Sequence, residues 1–243
     1  MPEDHFGEEV AAGYDLDAAM AHPDVVDPVV DFLAGVADDG AALEFGIGTG
    51  RIALPLSRRG VRVAGIDLSA AMVERLRAKA GAEAIEVAIG DFATTSLGTS
   101  FRAVFLVYNG ISNLTTQDEQ VACFANAAAH LETGGSFVIE VLVPPLQRLA
   151  PGERFRAFAV SPEHVGVDEI DVVSQGALSH HYWAAPGRGG VWSVPWRYVW
   201  PSELDLMARL AGMTLRERWG GWRHEPFTAA SVSHVSVWEK LPS

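Results

Sequence analysis

The chain has 243 residues, of which 49% are hydrophobic, and its formal net charge is −13. This length and apolar content fit one α/β domain with an elaboration, or two small domains, while the acidic charge disfavours nucleic acid and anionic lipid as partners. The single cysteine, Cys123, excludes an intramolecular disulfide, no apolar run is long enough to span a membrane, and the polar N-terminus is unlike a signal peptide, so we expect a cytoplasmic protein.

The first part of the chain predicts a parallel sheet. After a polar, acidic stretch over residues 1–22, a helical pattern follows with Asp24 or Asp27 as its N-cap. Short apolar runs then alternate with helical segments, of which the longest begins at Thr116 or Asp118. Runs that are nearly all apolar are typical of strands buried on both faces of a parallel sheet; here they are Ala41–Phe45, Val61–Ile66, Ile85–Ile89, Arg102–Val107 and Ser136–Val143.

The pattern changes at Pro144-Pro145, which interrupts the alternation of strands and helices. Over about residues 154–200, polar and apolar residues alternate with period two between turn signals, which predicts an antiparallel meander. One more helix and two more strands close the chain. We therefore expect one α/β domain over residues 1–145 and 201–243, with residues 146–200 inserted as a substrate cap or a dimerisation subdomain.

A glycine-rich turn links the first strand to the next helix and reads E-F-G-I-G-T-G-R from Glu44 to Arg51. Glycines let the backbone turn sharply and approach a ligand, and the helix offers free N–H groups. The third glycine comes one residue too early for the dinucleotide pattern G-x-G-x-x-G. Asp67 ends the second strand, where it can accept hydrogen bonds from ribose hydroxyls. Asp91 and Phe92 follow the third strand, where they can bracket an adenine ring.

This set of features resembles the class I S-adenosylmethionine-dependent methyltransferases, over about residues 25–145 and again over residues 201–240. The resemblance implies an α/β fold with a Rossmann-like, seven-stranded, mostly parallel sheet, helices on both faces, and the antiparallel β-meander inserted after strand five. It also implies S-adenosylmethionine as the cofactor. The cofactor-binding residues that it implies are Tyr14, Glu44, Gly46, Gly48, Gly50, Arg51, Asp67, Leu68, Met72, Asp91, Phe92, Val107 and Tyr108.

The resemblance further implies which part of the cofactor each residue contacts. The glycines lie against the methionine portion and the ribose, Asp67 binds the ribose hydroxyls, and Leu68 and Met72 pack near adenine. Arg51 pairs with the cofactor carboxylate, unless it is an exposed helix arginine. Tyr14 lies in an N-terminal segment that folds over the cofactor, unless it is a structural tyrosine.

We expect the methyl acceptor at the carboxyl ends of strands four and five, beneath the meander. The aromatic residues of the meander suit an apolar, aromatic or cationic acceptor, but alternate aromatics also fit the meander's own core or a dimer interface. The candidate substrate-binding residues are Asn109, Asn113, Tyr182, Trp196 and Trp222.

Methyl transfer needs a base only when the nucleophile carries a proton, so the catalytic side chain is the least constrained prediction. The first candidate is His224, in the loop after the sixth strand, followed by His181 and Tyr108. His180 and His181 point to opposite faces of their strand, so at most one of them faces a pocket. The spacing of the histidines predicts no metal site.

The preferred hypothesis is a methyltransferase that acts on N, O or an activated carbon of a small molecule. Its organisation is similar to bacterial enzymes that tailor secondary metabolites, including sugar N-methyltransferases. We expect neither a nucleic acid nor a membrane as partner, and a homodimer is a further expectation. Three alternatives stay open: methylation of protein or RNA, a non-catalytic regulatory protein that binds the cofactor, and a nicotinamide dehydrogenase, which the glycine spacing disfavours.

Overall fold

The computed structural model describes residues 7–15, 20–185 and 188–242. Within these residues, no helix combines the length and the apolar character needed to cross a membrane. In chain order the helices and strands are α1 (Glu8–Tyr14), α2 (Pro23–Ala37), β1 (Ala41–Phe45), α3 (Ala53–Arg58), β2 (Arg62–Asp67), α4 (Ala70–Arg77), β3 (Glu86–Ile89), β4 (Phe101–Leu106), α5 (Gln117–His130), β5 (Leu131–Leu142), β6 (Phe155–Val160), β7 (His164–Ile170), β8 (Gly176–Ala185), β9 (Arg188–Arg197), α6 (Pro201–Leu210), β10 (Met213–Trp219) and β11 (Ser233–Lys240).

Seven strands form the main sheet, in the order β3-β2-β1-β4-β5-β11-β10. β11 is antiparallel to both of its neighbours, and the other pairs are parallel. The strand order reverses between β1 and β4, and in open α/β sheets such a reversal leaves a crevice at the carboxyl ends of the strands. The prediction of a seven-stranded, mostly parallel sheet is confirmed.

Helices cover both faces of this sheet. One face packs against α5 and α6, which contribute the fully buried Phe124 and Leu204. The other face packs against α2, α3 and α4 through the fully buried Leu33, Leu56 and Leu76. Burial of apolar side chains on both faces explains why the strands are almost continuously hydrophobic.

The N-terminal region differs from the prediction in two respects. Residues 1–22 are polar and predict no element, yet α1 forms within them. The N-cap of α2 is His22, not Asp24 or Asp27: His22 Nδ1 accepts a hydrogen bond from Asp24 N at 3.2 Å. Pro23 explains the earlier start, because its fixed φ and missing N–H favour the first position of a helix.

β5 also begins before its predicted start at Ser136. Leu131 already pairs with Phe101 of β4, and the register then shifts before Ala103 pairs with Ser136. Gly134, with φ of +75°, lies within the shifted segment. The T-G-G sequence over residues 133–135 therefore produces an irregularity inside the β4–β5 pair, so the strand extends to the N-terminal side of the predicted Ser136.

The residues between β5 and α6 form a separate antiparallel sheet of four strands, in the order β6-β7-β8-β9. This confirms the prediction of a meander after the fifth strand. A small core of Ile170, Ala177 and Tyr198 closes the end of the meander that adjoins the main domain. One face of the meander and the end of β5 enclose a cavity.

Candidate active site

The glycine turn after β1 is fastened to the end of β2. The N–H groups of Gly46 and Ile47 donate to the carbonyl of Ile66 at 2.8 and 3.2 Å, and Gly48 N donates to Asp67 Oδ2 at 2.6 Å. Gly46 and Gly48 have φ of +67° and +53°, a left-handed backbone that glycine adopts without strain. The Asp67 carboxylate therefore holds the turn in a shape that only glycines accommodate easily.

A cavity of about 370 Å³, the glycine-loop cavity, opens at the carboxyl ends of β1, β2 and β4. Every predicted cofactor-binding residue except Gly50 lines it. Phe92, in the cavity wall, stacks on Phe45 of β1, with ring centroids 5.7 Å apart. The predicted residues that line the cavity thus come from five separate segments of sequence, at Tyr14 and within residues 44–51, 67–72, 91–92 and 107–108, and they meet at one edge of the sheet.

Arg51 lies between two tyrosines in this cavity. Its guanidinium carbon is 3.4 Å from the ring centroid of Tyr108 and 5.7 Å from that of Tyr14, which are cation–π distances. The aromatic rings hold the charge inside the cavity, whereas the sequence also allowed an exposed helix arginine.

α1 is fastened next to the glycine turn by the residue that follows it, Asp15. Asp15 forms an ion pair with Lys79 at 2.7 Å and accepts a hydrogen bond from Thr49 Oγ1 at 2.7 Å. Lys79 Nζ also donates to the carbonyl of Thr49 at 2.8 Å. These contacts place Tyr14 in the wall of the glycine-loop cavity.

The loop after β4 has an unusual backbone that β5 supports. Tyr108 and Asn109 have φ of +53° and +62°, which is the left-handed backbone conformation. Non-glycine residues in this conformation are strained, and such strain is common at functional sites. Glu140 accepts hydrogen bonds from Tyr108 N at 3.0 Å and from Trp222 Nε1 at 2.9 Å. Asn109 Oδ1 accepts from Leu142 N at 3.0 Å. Glu140 is not among the residues predicted for the site, although a carboxylate in an otherwise apolar strand is a usable signal.

Two polar atoms of the cavity wall are buried without a hydrogen-bond partner among the described residues: Glu44 Oε2 and Tyr108 Oη. Burial raises the pKa of Glu44 well above its usual value, although Arg51 opposes the shift. Burial likewise raises the pKa of Tyr108, so its hydroxyl stays protonated at neutral pH. Buried polar atoms are rarely left unpaired, so both atoms are candidates to bind a ligand.

A second cavity of about 700 Å³, the meander cavity, lies between one face of the meander, the end of β5 and the loop before β11. Its aromatic walls include Phe158, Trp192 and Trp196. Asn109 and Asn113 line both cavities. The two cavities therefore adjoin at the loop that follows β4.

Three titratable residues line the meander cavity: Arg156, Asp168 and His181. Burial raises the pKa of Asp168, which accepts a hydrogen bond from Ser179 Oγ at 2.6 Å. Burial and the neighbouring His164 lower the pKa of His181, whose Nδ1 lies 3.0 Å from His164 Nε2. His181 is therefore neutral at neutral pH and able to accept a proton.

Comparison with known proteins identifies the family. Residues 42–135 match the family model for a methyltransferase domain. The structure of the CcbJ methyltransferase from Streptomyces caelestis is similar, with a TM-score of 0.85 and 35% sequence identity over 98% of both chains. This chain belongs to the S-adenosylmethionine-dependent methyltransferases.

Two further relatives match the methyltransferase along almost its whole length. The cypemycin N-terminal methyltransferase from a Streptomyces species is 25% identical over 245 residues, which is 97% of each chain. CalS10, an amino pentose methyltransferase from Micromonospora echinaspora solved with S-adenosylmethionine bound, shares the fold, with a TM-score of 0.73 and 22% identity. That match covers 98% of this chain and 99% of CalS10.

The glycine-loop cavity has the properties that S-adenosylmethionine requires, and S-adenosylmethionine is the cofactor of this methyltransferase. Glu44 and Tyr108 each offer a buried, unpartnered oxygen atom. A Cβ added to Gly46 would come within 3.9 Å of Leu106 and Phe92 in the cavity wall, so glycine keeps that space open.

The structure brings together only some of the residues predicted to contact the acceptor. Asn109, Asn113, Trp196 and His181 lie together in the meander cavity. Tyr182 lies on the opposite face of the meander, where it is 45% exposed. Because successive side chains of a strand point to opposite faces, His181 and Tyr182 cannot both face this cavity.

The remaining two candidates, Trp222 and His224, line neither cavity. The ring of the exposed His224 packs against the rings of Phe32 and Trp219, with centroid distances of 5.1 and 4.9 Å. Trp222 instead donates its Nε1–H to Glu140, and so supports the loop after β4 from behind.

Proposed function

We propose that this methyltransferase acts in secondary metabolism and transfers a methyl group to an amine nitrogen of a small molecule. In this proposal the small molecule is held in the meander cavity. The observation that carries the proposal is that the two cavities adjoin at Asn109 and Asn113, which line both of them. An acceptor in the meander cavity can therefore present its nucleophile to the methyl donor. Methyl transfer is accelerated mainly by such alignment and by exclusion of water.

In this proposal, different residues of the glycine-loop cavity contact different parts of the cofactor. Arg51 would pair with the carboxylate, Asp67 with the ribose hydroxyls, and Asp91 and Phe92 with adenine. Glu44, with its unpartnered oxygen, would accept a hydrogen bond from the methionine portion. When bound, S-adenosylmethionine supplies an electrophilic methyl group on a positively charged sulfur.

Two features of the meander cavity, together with the net charge of the protein and one relative, favour an amine as the acceptor. The rings of Trp192 and Trp196 offer faces that attract a cation, and the Asp168 carboxyl lies in the same wall. The protein's net charge of −13 attracts a cationic molecule. The cypemycin N-terminal methyltransferase, whose name places its methylation at an N-terminus, matches nearly the whole chain.

His181 is the base that we propose for this reaction, because an amine must lose a proton when it is methylated. The tautomer in which His181 Nδ1–H donates to His164 Nε2 leaves a lone pair on His181 Nε2. The lowered pKa of His181 keeps that lone pair available at neutral pH. Tyr108, whose pKa is raised, serves as a hydrogen-bond donor and not as a base.

The test is an acceptor panel in which amine, hydroxyl and activated-carbon groups are placed on the same scaffolds, with methylated products identified by mass spectrometry. We expect N-methylated products, and we expect His181→Gln to lower kcat by about 100-fold or more without changing the Kd of S-adenosylhomocysteine. His180→Gln, on the other face of β8, is the matched control. Turnover of hydroxyl or carbon acceptors alone would contradict the choice of an amine.

A further inference from the structure

A fully buried polar side chain, Gln120 of α5, supports the loop after β4, where the two cavities adjoin. Gln120 Nε2 donates to the carbonyls of Ile111 and Leu114, at 3.2 and 3.1 Å. These two carbonyls bracket Asn113, which lines both cavities. One amide group therefore fixes the segment that lines both the glycine-loop cavity and the meander cavity.

The same Gln120 is held in turn by the meander. Its Oε1 accepts a hydrogen bond at 2.6 Å from Nη1 of Arg197, the last residue of β9. Arg197 is only 4% exposed. A guanidinium presents its donors in a rigid planar arrangement, so this contact fixes the orientation of the Gln120 amide and not only its distance.

A carboxylate on α6 completes the chain of contacts. Glu203 Oε1 accepts from Arg197 Nη2 at 2.7 Å and from Gln117 at 2.7 Å, while Glu203 Oε2 accepts from Gln175 at 3.0 Å. Burial alone would raise the pKa of Glu203, but these hydrogen bonds lower it. The buried charge of Arg197 thus has an ionised partner, as a buried guanidinium requires.

We propose that Gln120 and Arg197 are positioning residues, which tie the placement of the meander to the loop at which the two cavities adjoin. The proposal rests on the proposed function, in which the meander cavity holds the acceptor. A change in the position of the meander relative to the main sheet moves Arg197. Arg197 transmits this movement to the Gln120 amide, and Gln120 transmits it to the segment that contains Asn113. Cofactor binding next to that loop then stabilises the meander, because coupling between two sites is reciprocal.

The coupling is measured without any acceptor, by hydrogen exchange of the full-length protein with and without S-adenosylhomocysteine. In the wild type we expect the ligand to slow exchange in residues 42–50, which form its site, and in residues 194–200 around Arg197. In Gln120→Met the slowing at residues 42–50 remains and the slowing at residues 194–200 disappears. Gln117→Met is the matched control, since it removes a contact to the same Glu203 from the same helix but leaves the loop attached.

Measurements of kcat and KM distinguish a positioning role of Gln120 from a role in folding alone. With an acceptor identified by the panel, we expect Gln120→Met to lower kcat about 10- to 100-fold, as misalignment does, with a much smaller change in the acceptor KM. Arg197→Lys keeps the charge but lacks the planar pair of donors that binds Gln120 and Glu203. It should lower kcat in the same sense, and it supplies a second variant if Gln120→Met does not fold.

Equal protection of residues 194–200 in wild type and Gln120→Met would overturn the proposal, and so would the absence of such protection in the wild type. An unchanged kcat in Gln120→Met would overturn it as well. If the wild type methylates no amine, the proposed function fails, and the exchange measurement still decides whether Gln120 couples the meander to the loop.

Discussion

The three glycines of the turn after β1 meet different surroundings, although the sequence pattern treats them alike. A Cβ on Gly48 would have only ordinary contacts, the nearest at 3.9 Å, one of them with Met72 in the cavity wall. A Cβ on Gly50 would lie 2.3 Å from Leu76 Cδ1 and 3.2 Å from Leu54, inside the core. We expected Gly50 to contact the cofactor, but it lies outside the lining of the glycine-loop cavity and permits close packing of the turn on α4.

We expect Gly50→Ala to lower the free energy of unfolding by about 2–4 kcal/mol, because a strained backbone and a core overlap both contribute. Gly60→Ala is the control, since Gly60 also has a positive φ, of +91°, but has nothing within 4 Å of the added Cβ. Urea denaturation measures both. Equal losses in the two variants would show that the overlap with Leu76 is relieved at no cost.

His234 illustrates a buried titratable residue outside both cavities. It is fully buried on β11, and its Nδ1 lies 2.8 Å from Ser236 Oγ. Burial, with a smaller contribution from Arg218, lowers the pKa of His234 to about 3. The unfolded state, in which a histidine has a pKa of about 6.5, therefore binds a proton that the folded state rejects.

The consequence is a loss of stability in acid. Below about pH 6.5 the unfolded state gains the proton, so the free energy of unfolding falls by about 1.4 kcal/mol per pH unit from this residue, and the fall ends near the folded pKa. We expect His234→Gln, which cannot be protonated, to show a shallower decline between pH 6 and pH 4 in denaturation experiments. Identical slopes in the two proteins would contradict a neutral His234.

Among the elements, α1 is the one whose position the sequence failed to predict. Its seven residues lack an apolar repeat long enough to identify a helix, and tertiary contacts fix its place, among them those of Asp15 with Lys79 and Thr49. The meander, by contrast, was predicted because alternation with period two and turn signals are local properties. What alternation could not decide is which face of β8 meets the main domain.

We expect Asp15→Ala to raise the Kd of S-adenosylhomocysteine about two- to fivefold, as suits the loss of a partly exposed ion pair that positions Tyr14. Asp31→Ala is the matched control, since it removes an ion pair of similar length, 2.8 Å to Arg59, on the outside of α2. Calorimetric titration measures both affinities. A control variant that weakens binding equally would rule out a specific role for the fastening of α1.

At the scale of the whole molecule, two cavities meet where the main sheet, α1 and the meander come together. The glycine-loop cavity is built by the reversal in strand order, and the meander cavity by an insertion that returns over the end of β5. A ligand that binds only the folded protein stabilises it by mass action. Binding of the cofactor can therefore be measured as a rise in the stability of the whole protein, without knowledge of the acceptor.

We expect S-adenosylhomocysteine at 100 times its Kd to raise the free energy of unfolding by about 2.7 kcal/mol, and so to raise Tm by about 5–10 °C for a chain of this size. NADH at the same concentration should leave Tm unchanged, because the glycine spacing does not match a dinucleotide site. A scanning fluorimetry experiment distinguishes the two ligands. Stabilisation by NADH alone would contradict the cofactor assignment.

The sequence by itself determined the order of strands and helices, the insertion after the fifth strand and the family, because these depend on local periodicity and on motifs at strand ends. Only the tertiary structure decided that Gly50 packs in the core, that His224 lies outside both cavities and that His181 faces the meander cavity while Tyr182 does not. It alone joined Gln120 to Arg197, which are 77 positions apart in the chain. The physical reason is that local patterns fix the conformation of a segment, whereas contacts between distant segments depend on how the sheets and helices pack.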